Sequence, residues 1–273
     1  MGNRRGTKMR FSDILRTTTI IGGLVLVPVA SHADAFINGG FEDGNSNGWT
    51  LGGGYRGSVF NPLNPSDFLP GGSLYDSGVA STHSSIIGTG YTDPNVGPVI
   101  GSTVYSGSYS WRVEDTTYGG YASVISQTVH NYTDANIFFA WKAVLLGAHG
   151  TTDAATMVIS LVDLTKGDEL IRREYNAASG GSGVDPRFSL YNDNYYTADW
   201  QIEDLAIDAS RSGDDFALTV LGSDCEPTGH WGYVYLDGFG AVIPPPTGVP
   251  EPSSMLLLGA GLLGLAAARR RKS

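Results

Sequence analysis

Between the two ends of the chain no long stretch has helical periodicity. Gly and Asn/Asp turns cut it into short β-branched or aromatic runs. That pattern restricts the fold more than any other feature. Runs of this length pair as strands, and about 200 residues of them suit one all-β domain, a β-sandwich. Candidate strands fall at 35–41, 109–114, 122–129, 137–146, 156–164, 169–175, 200–208, 216–221 and 232–242. Along 156–164, Val158, Ser160 and Val162 point one way, and Met157, Ile159, Leu161 and Asp163 the other. Both faces are mostly apolar, as in a strand covered on both sides. In 122–129 neither face stands out as apolar. Residues 51–107, rich in Gly, Ser, Pro and Asn, form a long insertion read as ordered, with short strands near 84–87 and 99–104.

The two ends are of another kind. Arg4, Arg5, Lys8, Arg10 and Arg16 precede an apolar segment at 20–30, and Ala33-Asp34-Ala35 offers a small-x-small cleavage site, so 1–35 reads as a signal peptide. At the other end Val249, Pro250, Glu251 and Pro252 are followed by an apolar run at 255–268 and then Arg269, Arg270, Arg271 and Lys272. The prolines keep Glu251 extended, where a processing enzyme can grip it. The apolar run enters the membrane as a helix, and the cations hold its end on the cytoplasmic side. Fourteen helical residues reach about 21 Å, short of the roughly 30 Å hydrocarbon core, which suits a transient inner-membrane anchor. Residues 244–248 are a stiff Pro-rich spacer between the sandwich domain, 36–243, and this tail at 249–273.

With the ends set aside, 36–250 retains eight of the 17 Lys and Arg but 24 of the 27 Asp and Glu, a net charge of −16. A surface this acidic repels phosphate backbones and excludes nucleic acid as a partner, while suiting divalent cations. The single cysteine, Cys225, excludes internal disulfides and multi-Cys metal sites. It reads as a buried small hydrophobe or, less favoured, as an intermolecular link. The sequence holds no Gly-x-Ser-x-Gly, His-Glu-x-x-His or P-loop motif. His83, His130, His149 and His230 stand at no metal-ligand spacing with one another, so an enzyme is not expected.

The motif, apolar run and basic cluster at 249–272 resemble the PEP-CTERM sorting signal of Gram-negative bacteria. The resemblance implies export, processing by an exosortase near Pro250-Glu251-Pro252, and association with exopolysaccharide and biofilm matrix at the cell surface. Three further segments, Asn38–Gly44 with Gly48-Trp49, Gly107–Val113 and Ser223–Phe239, resemble the opening, next and closing core strands of galactose-binding-like jelly rolls, which include carbohydrate-binding modules. In many such modules a structural calcium sits where the first and last strands meet. The resemblance implies Ca²⁺ on the carboxylates of Glu42 and Asp237, with carbonyls from Asn38, Gly40 and the region 107–109. Alternation supports it: Phe41 and Leu236 point inward, turning Glu42 and Asp237 outward.

A sugar face needs aromatic rings beside polar groups. Two clusters offer them: Tyr118 with Tyr121 across a Gly-Gly turn, and Tyr191, Asn194, Tyr195 and Tyr196 with Trp200. The expectation is an exported, calcium-stabilised, non-enzymatic sandwich that binds extracellular polysaccharide. The alternative is a structural or adhesive surface protein whose sandwich is only a scaffold.

Overall fold

A computed structural model describes residues 36–150, 152–178, 184–226 and 229–246. The proposed signal peptide and the sorting motif, Val249–Pro252 and Arg269–Lys272 included, lie outside the described residues. Among the described residues, twelve strands form two antiparallel sheets. The first sheet orders β1 (Thr50–Tyr55), β4 (Tyr121–Tyr132), β11 (Asp214–Ser223), β6 (Thr156–Asp163) and β7 (Asp168–Asn176) as β1-β4-β11-β6-β7. The second orders β2 (Ser85–Gly88), β3 (Tyr109–Val113), β12 (Gly232–Gly240), β5 (Asn136–Leu146), β9 (Asn194–Thr197) and β8 (Phe188–Tyr191) as β2-β3-β12-β5-β9-β8. A last strand, β10 (Gln201–Ala206), pairs with the first half of β5, where Gln201 faces Trp141. The all-β sandwich expected from the turn punctuation is present.

The main core lies between the sheets. Phe41, Trp111, Trp141, Ile159, Leu161, Leu218 and Leu236 are among its buried members. Three satellite cores lie on the outer faces among the described residues, and the insertion contributes to each, the third through Tyr105 against Phe138 and Ala140. Leu63 and Phe68 cover Ala122, Val124, Val158 and Leu221 on the first sheet. Ile87, Val96 and Ile100 cover Val144, Tyr196, Tyr233 and Tyr235 on the second. This explains the two-faced apolar pattern of β6: Met157, Ile159 and Leu161 enter the main core, while Val158 meets the insertion. It also resolves β4, where Val124 and Ile125 are both fully buried on opposite faces.

The glycines of β1 make this cover possible. A Cβ on Gly54 would stand 1.8 Å from the Leu74 carbonyl oxygen, and one on Gly52 would stand 2.5 Å from that of Phe68. Asp76 N–H donates to Gly53 O at 2.8 Å, and Asp76 then caps the short helix α1 (Ser77–Thr82) by accepting from Gly78 and Val79 N–H. At the far edge, β7 presents charged side chains, with Arg172 paired to Glu174 at 2.6 Å and to Glu169 at 3.3 Å.

Three local expectations need correction. Residues 36–41 are turns rather than a strand, because Asn38 and Phe41 take positive φ of 51° and 59° and Phe41 N–H donates back to Asn38 O. Residues 99–104 are not a strand either; a 3₁₀ turn at Gly97–Ile100 ends at Gly101 with φ 71°. Strands β1, β8 and β9 escaped the sequence reading. The first is a glycine run, and the other two form a tight hairpin through Asn192 and Asp193 at φ 47° and 62°.

Candidate functional site

Two sites stand on β12. The first is a recess of about 280 Å³ lined by Gly40, Glu42, Ser106, Gly107, Asp237 and Phe239, among others. Phe41 is buried and stacks on Trp49 and Trp111, which turns Glu42 outward as expected, through a turn instead of a pleat. Leu236 enters the core, and Asp237 leaves the opposite face of β12. Asp237 is nonetheless fully buried, because residues 102–106 fold over it. Its Oδ2 accepts from the Tyr105 and Ser106 N–H groups at 2.9 and 3.1 Å, while Oδ1 has no hydrogen-bond partner among the described residues. Burial pushes this carboxyl up to about 8, and the neighbouring Glu42 charge adds to the rise. Glu42 accepts from Ser108 and Tyr109 N–H at 2.9–3.0 Å. Gly40 stands between the two acids: a Cβ there would lie 3.6 Å from Asp237 Oδ1 and 3.9 Å from Glu42 Cγ. The structure therefore brings Glu42, Gly40 and Asp237 together. It does not bring in the Asn38 carbonyl, which accepts from the Trp49 indole N–H at 3.1 Å and from Phe41 N–H at 3.0 Å.

The ligand atoms shown at the recess are oxygens: one carboxylate with a buried orphan oxygen and a second carboxylate. That set suits a hard cation such as Ca²⁺.

The second site lies at the other end of β12, where its antiparallel neighbour β3 finishes. Tyr118 is 60% exposed and stacks on Trp231, with ring centroids 5.0 Å apart and 22° between planes. Trp231 is fixed in turn by its indole N–H, which donates to Asn194 Oδ1 at 2.8 Å. Asn194 is itself buried and pairs across the hairpin with Tyr191, which is 41% exposed. So Tyr118 and Asn194, one from each predicted cluster, meet through Trp231, a residue the sequence reading placed only in the closing motif, while Tyr191 stands opposite Asn194 on β8.

The remaining predicted residues do other work. Tyr121 packs against Tyr55 and His83. Tyr195 and Tyr196 alternate along β9, so Tyr195 packs against the main core while Tyr196 is buried in the outer one. Trp200 braces the first site: it contacts Tyr105 and donates to Ser102 O at 3.0 Å, within the segment that covers Asp237. Tyr195, Tyr196 and Trp200 thus share no exposed plane.

Beneath Tyr121 lies a group of acids. His83 Nδ1 is 2.8 Å from the buried Glu114, and Asp115 is 3.3 Å away. Burial raises Glu114, and burial together with the Glu114 charge pushes Asp224 up to about 9. His83 rises through its hydrogen bond to Glu114. Cys225 is fully buried, which removes the intermolecular-link reading for the folded chain.

Among solved structures, the chain resembles TmCBM61 in complex with β-1,4-galactotriose at 13% identity and a TM-score of 0.38, covering 77% of this chain and 97% of that one. It resembles the non-crystalline-cellulose-specific module CBM28 at 14% and 0.37, covering 76% and 94%. It also resembles the K2 cleaved adhesin domain of Lys-gingipain at 12% and 0.30, covering 77% and 91%. No curated protein matches the chain. Residues 248–272 match the PEP-CTERM protein-sorting motif, and they include the Val249–Pro252 segment and the basic cluster singled out above. The chain carries a PEP-CTERM sorting signal at its C-terminal end.

Proposed function

We propose that this protein is exported, cut by an exosortase-type enzyme near Pro250-Glu251-Pro252, and displayed at the cell surface or in the extracellular matrix, where its sandwich binds exopolysaccharide without chemically altering it. The sorting signal supports the address. The observation that supports the binding is the Tyr118 ring, exposed on one face and backed on the other by Trp231. A ring held flat from behind presents a rigid apolar plane, which the CH face of a pyranose covers at little conformational cost. Tyr191 and the hydrogen-bonding groups of the 115–117 turn, where Thr117 donates to Asp115, offer partners for sugar hydroxyls.

The cation belongs to the same proposal. Ca²⁺ between Glu42 and Asp237, with the Gly40 carbonyl, supplies the partner that Asp237 Oδ1 otherwise lacks. It would tie the 36–45 turn to the closing strand and the 102–108 segment, holding the sandwich shut without touching the sugar.

Affinity electrophoresis through gels containing the host's own exopolysaccharide tests the binding. Retardation that is weakened about tenfold in Tyr118→Ala and in Trp231→Ala supports the proposal. Unaltered mobility of the wild-type protein in every gel moves the reading to a structural or adhesive scaffold, with the acidic surface as its contact.

A further inference from the structure

A second cluster of metal-ligating side chains lies at the Trp231 end of the sandwich, and neither the sugar face nor the calcium recess uses it. His149 follows β5 in a turn closed by the Ala148–Ala154 bridge. Cys225 follows β11, His230 precedes β12, and Cys225 N–H donates to His230 O at 3.2 Å to close the loop between them. His149 lies 76 residues from Cys225, so the spacing of the histidines alone gave no sign of a site. Folding brings Cys225 Sγ to 3.1 Å from His230 Nδ1 and 3.4 Å from His149 Nδ1. Asp153 Oδ2 lies 3.7 Å from His149 Nδ1, and its Oδ1 is buried with no hydrogen-bond partner among the described residues.

Those separations can be compared with a tetrahedral site. Zn–S near 2.3 Å and Zn–N near 2.05 Å give S···N edges of about 3.6 Å. The observed Sγ···N separations of 3.1 and 3.4 Å lie within about 0.5 Å of the S···N edge. A thiol hydrogen bond accounts for less. The thiol has one proton, so it donates to one imidazole and accepts only weakly from the other. The frame around the cluster is rigid. Arg56 is fully buried and donates to Ala154 O at 2.9 Å and Asp224 O at 2.7 Å, the carbonyls next to Asp153 and Cys225. It thereby clamps both ligand-bearing loops. Its cation also faces Asp153 and Glu226.

We propose that His149, Cys225 and His230 bind one divalent transition-metal cation of the zinc class, with solvent completing its shell. One sulfur and two imidazole nitrogens form a borderline-soft set that favours Zn²⁺ over Ca²⁺. The ion enters beside His149, whose side chain is 43% exposed, and its binding displaces the thiol proton to solvent.

The test uses the full chain, without a histidine tag, titrated with Co²⁺ as a spectroscopic stand-in for Zn²⁺. The expected result is one Co²⁺ per chain, a thiolate-to-cobalt charge-transfer band and d–d bands of tetrahedral intensity. Zn²⁺ should abolish these bands, whereas excess Ca²⁺ should not. Cys225→Ser should remove the charge-transfer band, and His149→Ala, at a half-exposed ring, should weaken Co²⁺ binding at least tenfold while leaving the metal-free melting temperature unchanged. Asp237→Asn should leave the spectrum intact, which separates this site from the calcium recess. Absence of the charge-transfer band, its survival in Cys225→Ser, or an unchanged titration in His149→Ala overturns the proposal.

Discussion

Replacing Asp237 by Asn separates the cost of a buried charge from the benefit of a cation. The carboxyl is fully buried and its proton affinity is raised from 3.8 to about 8, chiefly by burial. At about 1.4 kcal/mol per pH unit, holding it ionised with no cation costs on the order of 6 kcal/mol as an upper limit. In EDTA the folded protein therefore keeps a proton that the unfolded chain has already released. Between about pH 4 and pH 8 this one group should lower stability by about 1.4 kcal/mol for each unit of rising pH. Asparagine fits the same place: its oxygen can accept from the Tyr105 and Ser106 N–H groups, and its amide turns toward Glu42 where Oδ1 stood without a partner. In EDTA the variant should lack that contribution to the slope, so its advantage over wild type grows from pH 5 to pH 8. Glu114 and Asp224, also raised by burial, contribute to both proteins, so the difference between the two curves is the quantity to read. Calcium should act in the opposite sense. At a hundredfold excess over its Kd it adds about 2.7 kcal/mol to the wild type, which for a domain of about 200 residues raises Tm by about 6 °C. Asp237→Asn should show almost none of that rise. Thermal melts followed by circular dichroism, with EDTA or calcium at several pH values, make the measurement. Equal calcium responses in both proteins, or parallel pH curves in EDTA, would refute the reasoning.

Three further outcomes are expected. Phe68→Ala removes the fully buried centre of the insertion's contact with the first sheet and should cost about 3–5 kcal/mol in urea unfolding, whereas a peripheral insertion predicts almost no change. Gly54→Ala places a methyl 1.8 Å from the Leu74 carbonyl and should destabilise by at least about 1–3 kcal/mol in the same assay; a neutral result would mean that the insertion is not seated on β1. Tyr118→Ala, at an exposed ring, should leave Tm within about 1 °C of wild type while weakening polysaccharide retardation about tenfold, the equivalent of about 1.4 kcal/mol.

The parts of the fold legible in the chain are those whose cause is local. Strands β5, β6 and β7 carry dense apolar or alternating runs, and their turns are marked by glycine and asparagine. The apolar character of both faces of β6 correctly announced an outer cover. What covers it was not legible, because Leu63 and Phe68 reach the sheet from a Pro- and Gly-rich segment with no periodicity of its own. Strand β1 was missed because its glycines look like a loop and answer to a contact with residues 68–74. The same limit applies to the sites. Glu42 and Asp237 could be paired because each flanks a large inward residue in a familiar motif. Tyr195, Tyr196 and Trp200 looked like one aromatic surface because they are close in sequence, yet β9 alternates the tyrosines and Trp200 turns toward Ser102. Trp231 gave no local signal because it joins loops far apart along the chain, and the His149–Cys225–His230 cluster needs His149, 76 residues before Cys225.

The Asp76–Gly53 hydrogen bond and the helix behind it bear on how copies of this protein can assemble. An open strand edge is a template for another chain, and a secreted protein at high local density is exposed to that hazard. At β1 the template is occupied from within the same molecule. At β7, the opposite margin of that sheet, Arg172 with Glu169 and Glu174 must lose solvent before a foreign strand can dock. The first sheet is therefore protected against fibre-like growth at both margins. Copies that associate through this sheet have to do so by side-chain contacts, which can be reversed without unfolding the protein.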